Sequence, residues 1–351
     1  MEIKKHVGSV SGGRTSMGPM IKGMLGKFGK EACDFVFCDT GAEDKDTYRF
    51  IRDVAKEFDI EITCLRLNMP KQSGKGGTYE VIPLENIGQD YYAWKQLSSK
   101  YGNPFMPSGK FCTQQMKGNI FKKYCDVVYG KGNFYTWIGY RFEEGNRIWG
   151  KFASAALGKL GLTNVEKTQF YLDYLEERDM PAILQEYMQE FDPDYEDYLA
   201  KLEASVATID KKGFRFLPEV SHLQKQEIIQ WWSDKEYDLK IESHRHNCLF
   251  CIEKPHGTIM LAIKDCPDEA KEFLSIVESE DVAYKPNRKE AGDVMYRKGL
   301  TFRDLYNKTQ DNSRESILEM SRLGQEMIKK NPCQGGECSV FGDVHEDADD
   351  E

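Results

Sequence analysis

The 351-residue sequence contains no run approaching the roughly 20 consecutive apolar residues that a membrane span requires, and its opening, MEIKKHVGSV, lacks the apolar core of a signal peptide. These two absences predict a folded protein of the cytoplasm. Positive charge is not in excess: 48 Lys and Arg stand against 58 Asp and Glu, a net charge of -10. Non-specific nucleic-acid binding over the whole surface is therefore disfavoured, because the phosphate backbone would be repelled. A local basic channel remains compatible with this balance. Six of the acidic residues (Asp343, Glu346, Asp347, Asp349, Asp350 and Glu351) sit in the tail GDVHEDADDE, which reads as a disordered, solubilising end. Both common phosphate-loop spellings, GxGxxG and GxxxxGK[ST], are missing at the first glycine-rich turn. No internal repeat is present, and no glycine occurs between Gly161 and Gly213.

What is present suffices for a packed core, with 40% hydrophobic residues and 12% aromatic ones. A short strand from Lys4 to Val10 leads into a Gly-Gly turn and then a helix over Met17 to Phe28, weakened by Gly18, Pro19, Gly23 and Gly26. CDFVFCDTG is an apolar run stopping at a turn. EDKDTYRFIRDVAKEFDI places Tyr48, Ile51, Val54, Ala55 and Phe58 at helical intervals, and EITCLRL reads as a third strand. This order predicts a parallel α/β sheet whose ligands collect at the C-terminal ends of its strands. NMPKQSGKGGTYEVIPLENIGQD reads as a loop over the sheet edge, NFYTWIGYR as another strand, and residues 151–212 as a helical insertion. GFRFLPEV resumes a β-like pattern, KQEIIQWWSDKEYDL a helix, and HRHNCLFCIEK a tight cysteine turn.

The turn VGSVSGGRTSMG has the ingredients of an anion site. Adjacent glycines between a strand and a helix present successive backbone N–H groups at a positive helix end. Ser11, Thr15 and Ser16 add hydroxyls, and Arg14 adds a planar cationic fork suited to phosphate oxygens. Taken alone, SGG is more simply a plain connector.

Ten cysteines in a cytoplasmic setting read as thiols, core residues or metal ligands rather than structural disulfides. Cys248 and Cys251 form a C-x-x-C, a spacing that serves one metal, a cluster or a redox pair. His244, His246 and His256 flank it and also permit zinc. Cys33, Cys38 and Cys64 lie in strand-like runs and read as core, as do Trp231, Trp232 and most tyrosines of the insertion.

Five ordered blocks between about Val7 and Lys254 resemble the phosphoadenosine phosphosulfate (PAPS) reductase family. SGGRTS is similar to the SGGKDS pyrophosphate loop (PP-loop) of the adenine nucleotide α-hydrolase-like superfamily, and FVFCDTGAEDKDTYRFI to the family's second-strand motif. FCTQQMK resembles its C-T-x-x-x-K segment, IGYRFEEGNR its G-x-R-x-x-E-x-x-R segment, and FLPEVSHLQKQEIIQWW with HNCLFCIEK its late apolar segment and C-x-x-C. Arg14 and Thr15, where the common form has Lys and Asp, resemble a branch frequent in phages and mobile elements.

The resemblance implies a Rossmann-like parallel sheet with helices on both faces. It divides the chain into a nucleotide-binding core at 1–150, the insertion at 151–212, a C-terminal part with the C-x-x-C at 213–330, and a tail at 331–351. It further implies that Ser11, Gly12, Gly13, Arg14, Thr15 and Ser16 hold the phosphates of ATP, with Mg, or of PAPS. Asp39, Thr40 and Gly41 would lie near the nucleotide, and Arg141, Glu144 and Arg147 across the same cleft. Glu144 and Arg147 also read as a surface pair, and Lys117 as either a phosphate ligand or a solvated helix lysine. Cys112 would join Cys248 and Cys251 on a [4Fe-4S] cluster, with Cys266, Cys333 or Cys338 as the fourth ligand and Cys125 also open; zinc is the alternative.

In the tail, Glu337 and Cys338 match the family's E-C-G-x-H, whereas Ser339 and Phe341 depart from it. Two chemistries follow. In one, Cys338 attacks the sulfur of a phosphosulfate. In the other, a nucleic-acid or small-molecule acceptor is adenylated and then receives sulfur from a donor protein. A nucleotide-binding module without turnover is the rival reading.

Overall fold

Strands β1 (Lys5–Val10), β2 (Cys33–Asp39), β3 (Ile62–Asn68), β4 (Thr78–Ile82), β5 (Phe134–Ile138) and β6 (Phe214–Phe216) form one sheet in the order β4-β3-β2-β1-β5-β6. The computed structural model describes residues 4–70, 76–103, 111–188, 192–283 and 300–330. All pairings are parallel except β3 with β4. The chain builds outward from β1 through β2 and β3 on one side and through β5 and β6 on the other. A crevice therefore opens at the C-terminal ends of β1 and β5, the usual ligand position in such sheets.

The strands are apolar on both faces because both are covered. Phe35, Phe37, Ile62 and Cys64 pack with Met17, Met20, Ile51, Val54 and Trp232 on one face. Val36, Cys38, Leu65 and Leu67 pack on the other with Trp94, Ile120, Phe121, Ile259 and Phe273. A third cluster joins Ile138, Phe214 and Phe216 to Ile148, Trp149, Phe170, Tyr171 and Leu202 of the insertion.

Two sequence expectations need correction. The stretch read as a loop after β3 contains β4, an antiparallel edge strand with Leu65 opposite Val81. Its TYEVI is mostly exposed, so an edge strand facing water carries little of the apolar signal by which strands are read. The insertion contains helices Gly145–Lys159, Asn164–Glu177, Met180–Tyr187 and Tyr195–Lys212, the first of them broken at Gly150, where φ is +68°. The first helix after β1 begins before Met17, with Arg14 and Thr15 already helical. It passes through a wide π-turn at Ser16–Met20, where Pro19 supplies no N–H, before regular α-helix at Ile21–Phe28. A second π-turn, Gln114–Gly118, leads into helix Asn119–Val128. Among the described residues no helix is long and apolar enough to cross a membrane.

Candidate functional site

The glycine turn is held in place by its own side chains. Ser16 Oγ accepts from Ser11 N at 3.1 Å, lies 3.1 Å from Ser11 Oγ and donates to Gly13 O at 3.3 Å. The first amide to bond back into the helix is Met17 N, to Gly13 O at 3.0 Å, so the amides before it open the helix as anion donors. Gly12 has φ +73°, and a Cβ there would stand 2.6 Å from Thr47 Cγ2. Gly139, just after β5, lies over the turn, where a Cβ would be 3.3 Å from Ser16 Cβ. Thr15 makes no side-chain capping bond.

Arg14 departs from expectation. Its Nε and Nη2 donate to Asp238 Oδ1 and Oδ2 at 2.7 and 2.8 Å, and Nη2 also reaches Leu239 O. The fork expected to meet phosphate oxygens is filled by a carboxylate 224 residues further on, a partner that no local motif reveals. In this structure Arg14 is a clamp between the turn and the segment that leads to the C-x-x-C.

The turn after β2 supplies the adjoining wall. Asp39 is fully buried, accepts from Gly41 N at 2.8 Å and from Arg66 Nη2 at 2.7 Å, and its Oδ1 lies 3.1 Å from the Tyr48 hydroxyl. Burial, reinforced by nearby Glu43, pushes its carboxyl up to about 6. Thr40 Oγ1 donates to Glu43 Oε2 at 2.7 Å, and Tyr48 OH lies 3.0 Å from the same oxygen. Gly41 has φ +68°, and Asp90 and Tyr91 leave no room for a side chain. Glu43 and Arg66 were not singled out from the sequence, and Tyr48 was read only as part of a helix stripe. Glu43 lies inside the quoted FCDTGAE block and is 1% exposed.

The C-x-x-C docks on this turn. Leu249 N donates to Ala42 O at 2.8 Å, and Cys248 pairs antiparallel with Glu43. Cys248 Sγ lies 3.4 Å from Thr40 Oγ1 and 3.7 Å from Glu43 Oε1. Cys112, Cys248 and Cys251 line one pocket with Trp94, Thr113, Met116 and Lys117. Lys117, on the second π-turn, is buried and lies 3.7 Å from Glu43 Oε1, so it is not a solvated helix lysine. Lys254 lies beneath the cysteine turn, where burial pushes its ammonium down to about 8 while the nearby cysteines oppose the shift.

The remaining cysteines are placed elsewhere. Cys266, Cys125, Cys33, Cys38 and Cys64 are buried and do not line this pocket. Burial raises the thiols of Cys33, Cys38, Cys64 and Cys266 to about 11, 12, 12 and 11. Cys333 and Cys338, with the whole tail, lie outside the described residues.

Among the described residues, one group of three, Glu242, His244 and Asp265, has its ligand atoms all within 4.8 Å of one another. Arg314 spans it, donating to Asp265 at 2.8 Å and to Glu242 at 3.2 Å, and His244 Nε2 lies 2.9 Å from Asp265. The guanidinium already supplies the positive charge a metal would bring. The three pocket sulfurs are not gathered that closely, whereas tetrahedral zinc with Zn–S near 2.3 Å needs sulfurs about 4 Å apart.

On the other side of β1, the loop after β5 carries Arg141, Glu144 and Arg147. Arg147 Nη1 pairs with Glu144 Oε1 at 2.7 Å, and its guanidinium stacks 4.1 Å from the Tyr140 ring centroid. Arg141 Nε meets Glu143 at 2.8 Å, and its backbone N donates to Glu144 Oε2 at 2.8 Å. Glu144 is 8% exposed, so this is a fixed cluster and not a loose surface pair.

Sheet and site together define an α/β protein whose glycine turn, second-strand turn and cysteine pocket share one edge of a mostly parallel sheet. The chain is similar to the uncharacterized nin region protein ORF290 of Escherichia phage lambda, with 28% identity over 345 residues that cover 96% of this chain and 95% of that protein. No family model and no solved structure matches the chain.

Proposed function

We propose that this chain is a PP-loop enzyme of the PAPS-reductase-like kind. It binds an adenine nucleotide at Ser11–Ser16 and performs cysteine-dependent sulfur transfer beside it. The observation that carries the reading is the convergence of Cys112 and Cys248, 136 positions apart, on one pocket with Cys251, Cys248 lying 3.4 Å from the Thr40 hydroxyl. Three cysteines on one pocket are the ligand type of a [4Fe-4S] cluster, which when bound supplies electron-transfer or sulfur-carrying chemistry. Cys112, Cys248 and Cys251 would hold it.

The chain's own groups divide the remaining work. The amides of Gly12–Ser16 receive phosphate oxygens of ATP, with Mg, or of PAPS. Arg141 and Arg147 offset nucleotide charge from across the cleft, and Asp39 and Thr40 fix the adjoining turn. With ATP, an acceptor oxygen attacks the α-phosphorus, the bond to the bridging oxygen breaks, and pyrophosphate leaves. The adenylated acceptor, a nucleic acid or a small molecule, then exchanges AMP for sulfur delivered by a donor.

Anaerobic purification with iron and sulfide analysis, followed by assays of pyrophosphate release from ATP and sulfite release from PAPS, tests the reading. Iron with pyrophosphate release supports sulfur transfer, and sulfite release supports PAPS reduction. An iron-free protein that binds ATP without turnover sinks the enzyme and leaves a nucleotide-binding module.

A further inference from the structure

We infer that Lys254 is the built-in counter-charge of the cysteine centre, pinning the Cys248–Cys251 turn and fitting the pocket to hold thiolates on a metal centre instead of a neutral disulfide. The inference rests on the reading of Cys112, Cys248 and Cys251 as ligands. Lys254 Nζ donates to His244 O at 2.9 Å, Cys248 O at 2.9 Å and Leu249 O at 3.1 Å. Those three bonds use all the protons of an ammonium. Its acceptors are all carbonyls, and among the described residues no carboxylate stands within 4.0 Å of it. Lys117, on the same pocket, is by contrast neutralised by Glu43.

Lys254 is half-buried, and the ammonium itself is held by these three carbonyls. Carbonyl dipoles orient it but do not cancel its charge. Cys248, Cys251 and Cys266 would act on it as anions when deprotonated, as the Asp44 carboxylate does. A Cys248–Cys251 disulfide carries no charge and would leave the ammonium with only the more distant Asp44, whereas two metal-bound thiolates bring negative charge to the turn it holds. Holding the two carbonyls around Cys248 also fixes the turn from which both sulfurs project.

The test uses the full chain, purified anaerobically as wild type, Lys254→Met, Lys254→Gln and Lys254→Arg, with iron content, a reductive titration followed by absorbance, and Co2+ binding to the metal-free protein. Gln keeps hydrogen-bond donors without charge, and Arg keeps the charge. Reduction adds negative charge, so loss of the cation shifts the reduction equilibrium at least tenfold toward the oxidised form in the Met and Gln variants, about 59 mV downward for one electron. Co2+ affinity falls at least tenfold in the same two, and Arg restores both values to within threefold.

Wild-type values in the Met and Gln variants, or equal shifts in all three, overturn the inference. If the wild type holds no iron, the cluster reading falls and the Co2+ titration alone decides Lys254. A wild type that binds neither metal removes both.

Discussion

Gly12 and Gly13 are neighbours that are glycine for different reasons. Gly12 takes a left-handed conformation against helix Lys45–Glu57, with Thr47 and Ile51 filling the space of any side chain. At Gly13 a Cβ would meet only Ser11 Oγ, at 3.6 Å, so the fold leaves room there for a ligand to reach the backbone. Gly12→Ala is expected to cost about 2–3 kcal/mol in denaturant unfolding. Gly13→Ala should stay within about 1 kcal/mol of wild type while weakening ATP binding at least tenfold by calorimetry; unchanged affinity would remove the phosphate role of the turn.

Asp39 makes a pH prediction. Its folded-state pKa near 6 exceeds the ordinary 3.8, so the folded protein holds that proton more tightly. The associated stability is complete below about pH 4 and is lost as pH rises through 6. Between pH 4 and 7 the unfolding free energy of Asp39→Asn should gain on wild type by about 2 kcal/mol, and parallel pH profiles would refute the assignment. The glycines and Asp39 were legible as a turn and a strand end. The burial that gives Asp39 its pKa was not, because it depends on Tyr48, Arg66 and Glu43 arriving from other elements.

At the scale of elements, the helix opening at Arg14 and the segment from Trp231 to Lys254 act as one unit. Arg14 clamps Asp238, Trp232 Nε1 donates to Arg14 O at 2.9 Å, and Gly18 leaves room for both tryptophan rings. Farther along, Arg49 holds Asp238 O, Arg245 pairs with Asp44, and Leu249 bonds to Ala42. The glycine turn and the C-x-x-C are thereby tied to one strap across the sheet edge. A double-mutant cycle of Arg14→Ala and Asp238→Ala should yield a coupling of about 1–2 kcal/mol in stability. Additive losses would mean that the clamp is not an energetic unit. The periodicity of helix Lys45–Glu57 was readable, because a buried stripe repeats within a few residues, and the insertion was readable from its composition and its lack of glycine between Gly161 and Gly213. Strand β4 and the two π-turns were not, since an exposed edge and a locally widened helix leave no regular pattern.

Across the whole molecule, two covers of the sheet edge meet at Thr40 and Glu43, one bearing the glycine turn and the other the cysteines. On the proposed reading, a cluster held by Cys112, Cys248 and Cys251 would link segments that line one pocket. Iron removal by an anaerobic chelator is therefore expected to lower the melting temperature by about 5 °C or more and to weaken ATP binding at least threefold. A melting temperature that does not move on chelation would separate the cysteine pocket from the fold's stability.

The sequence by itself determined the strand–turn–helix order, the glycine turn, the helical insertion and the C-x-x-C. Each is written in spacings of a few residues, where side-chain periodicity and backbone freedom act locally. It takes the folded chain to show that Arg14 belongs to Asp238, that Lys117 is buried against Glu43 and Lys254 held by three carbonyls, and that Cys112 lines one pocket with Cys248 and Cys251 while Cys266 stays outside it. These outcomes depend on distances between segments up to 224 residues apart. A charged side chain takes whichever partner the packed sheet edge brings within about 3 Å, and that proximity is a property of the fold, not of the neighbouring letters.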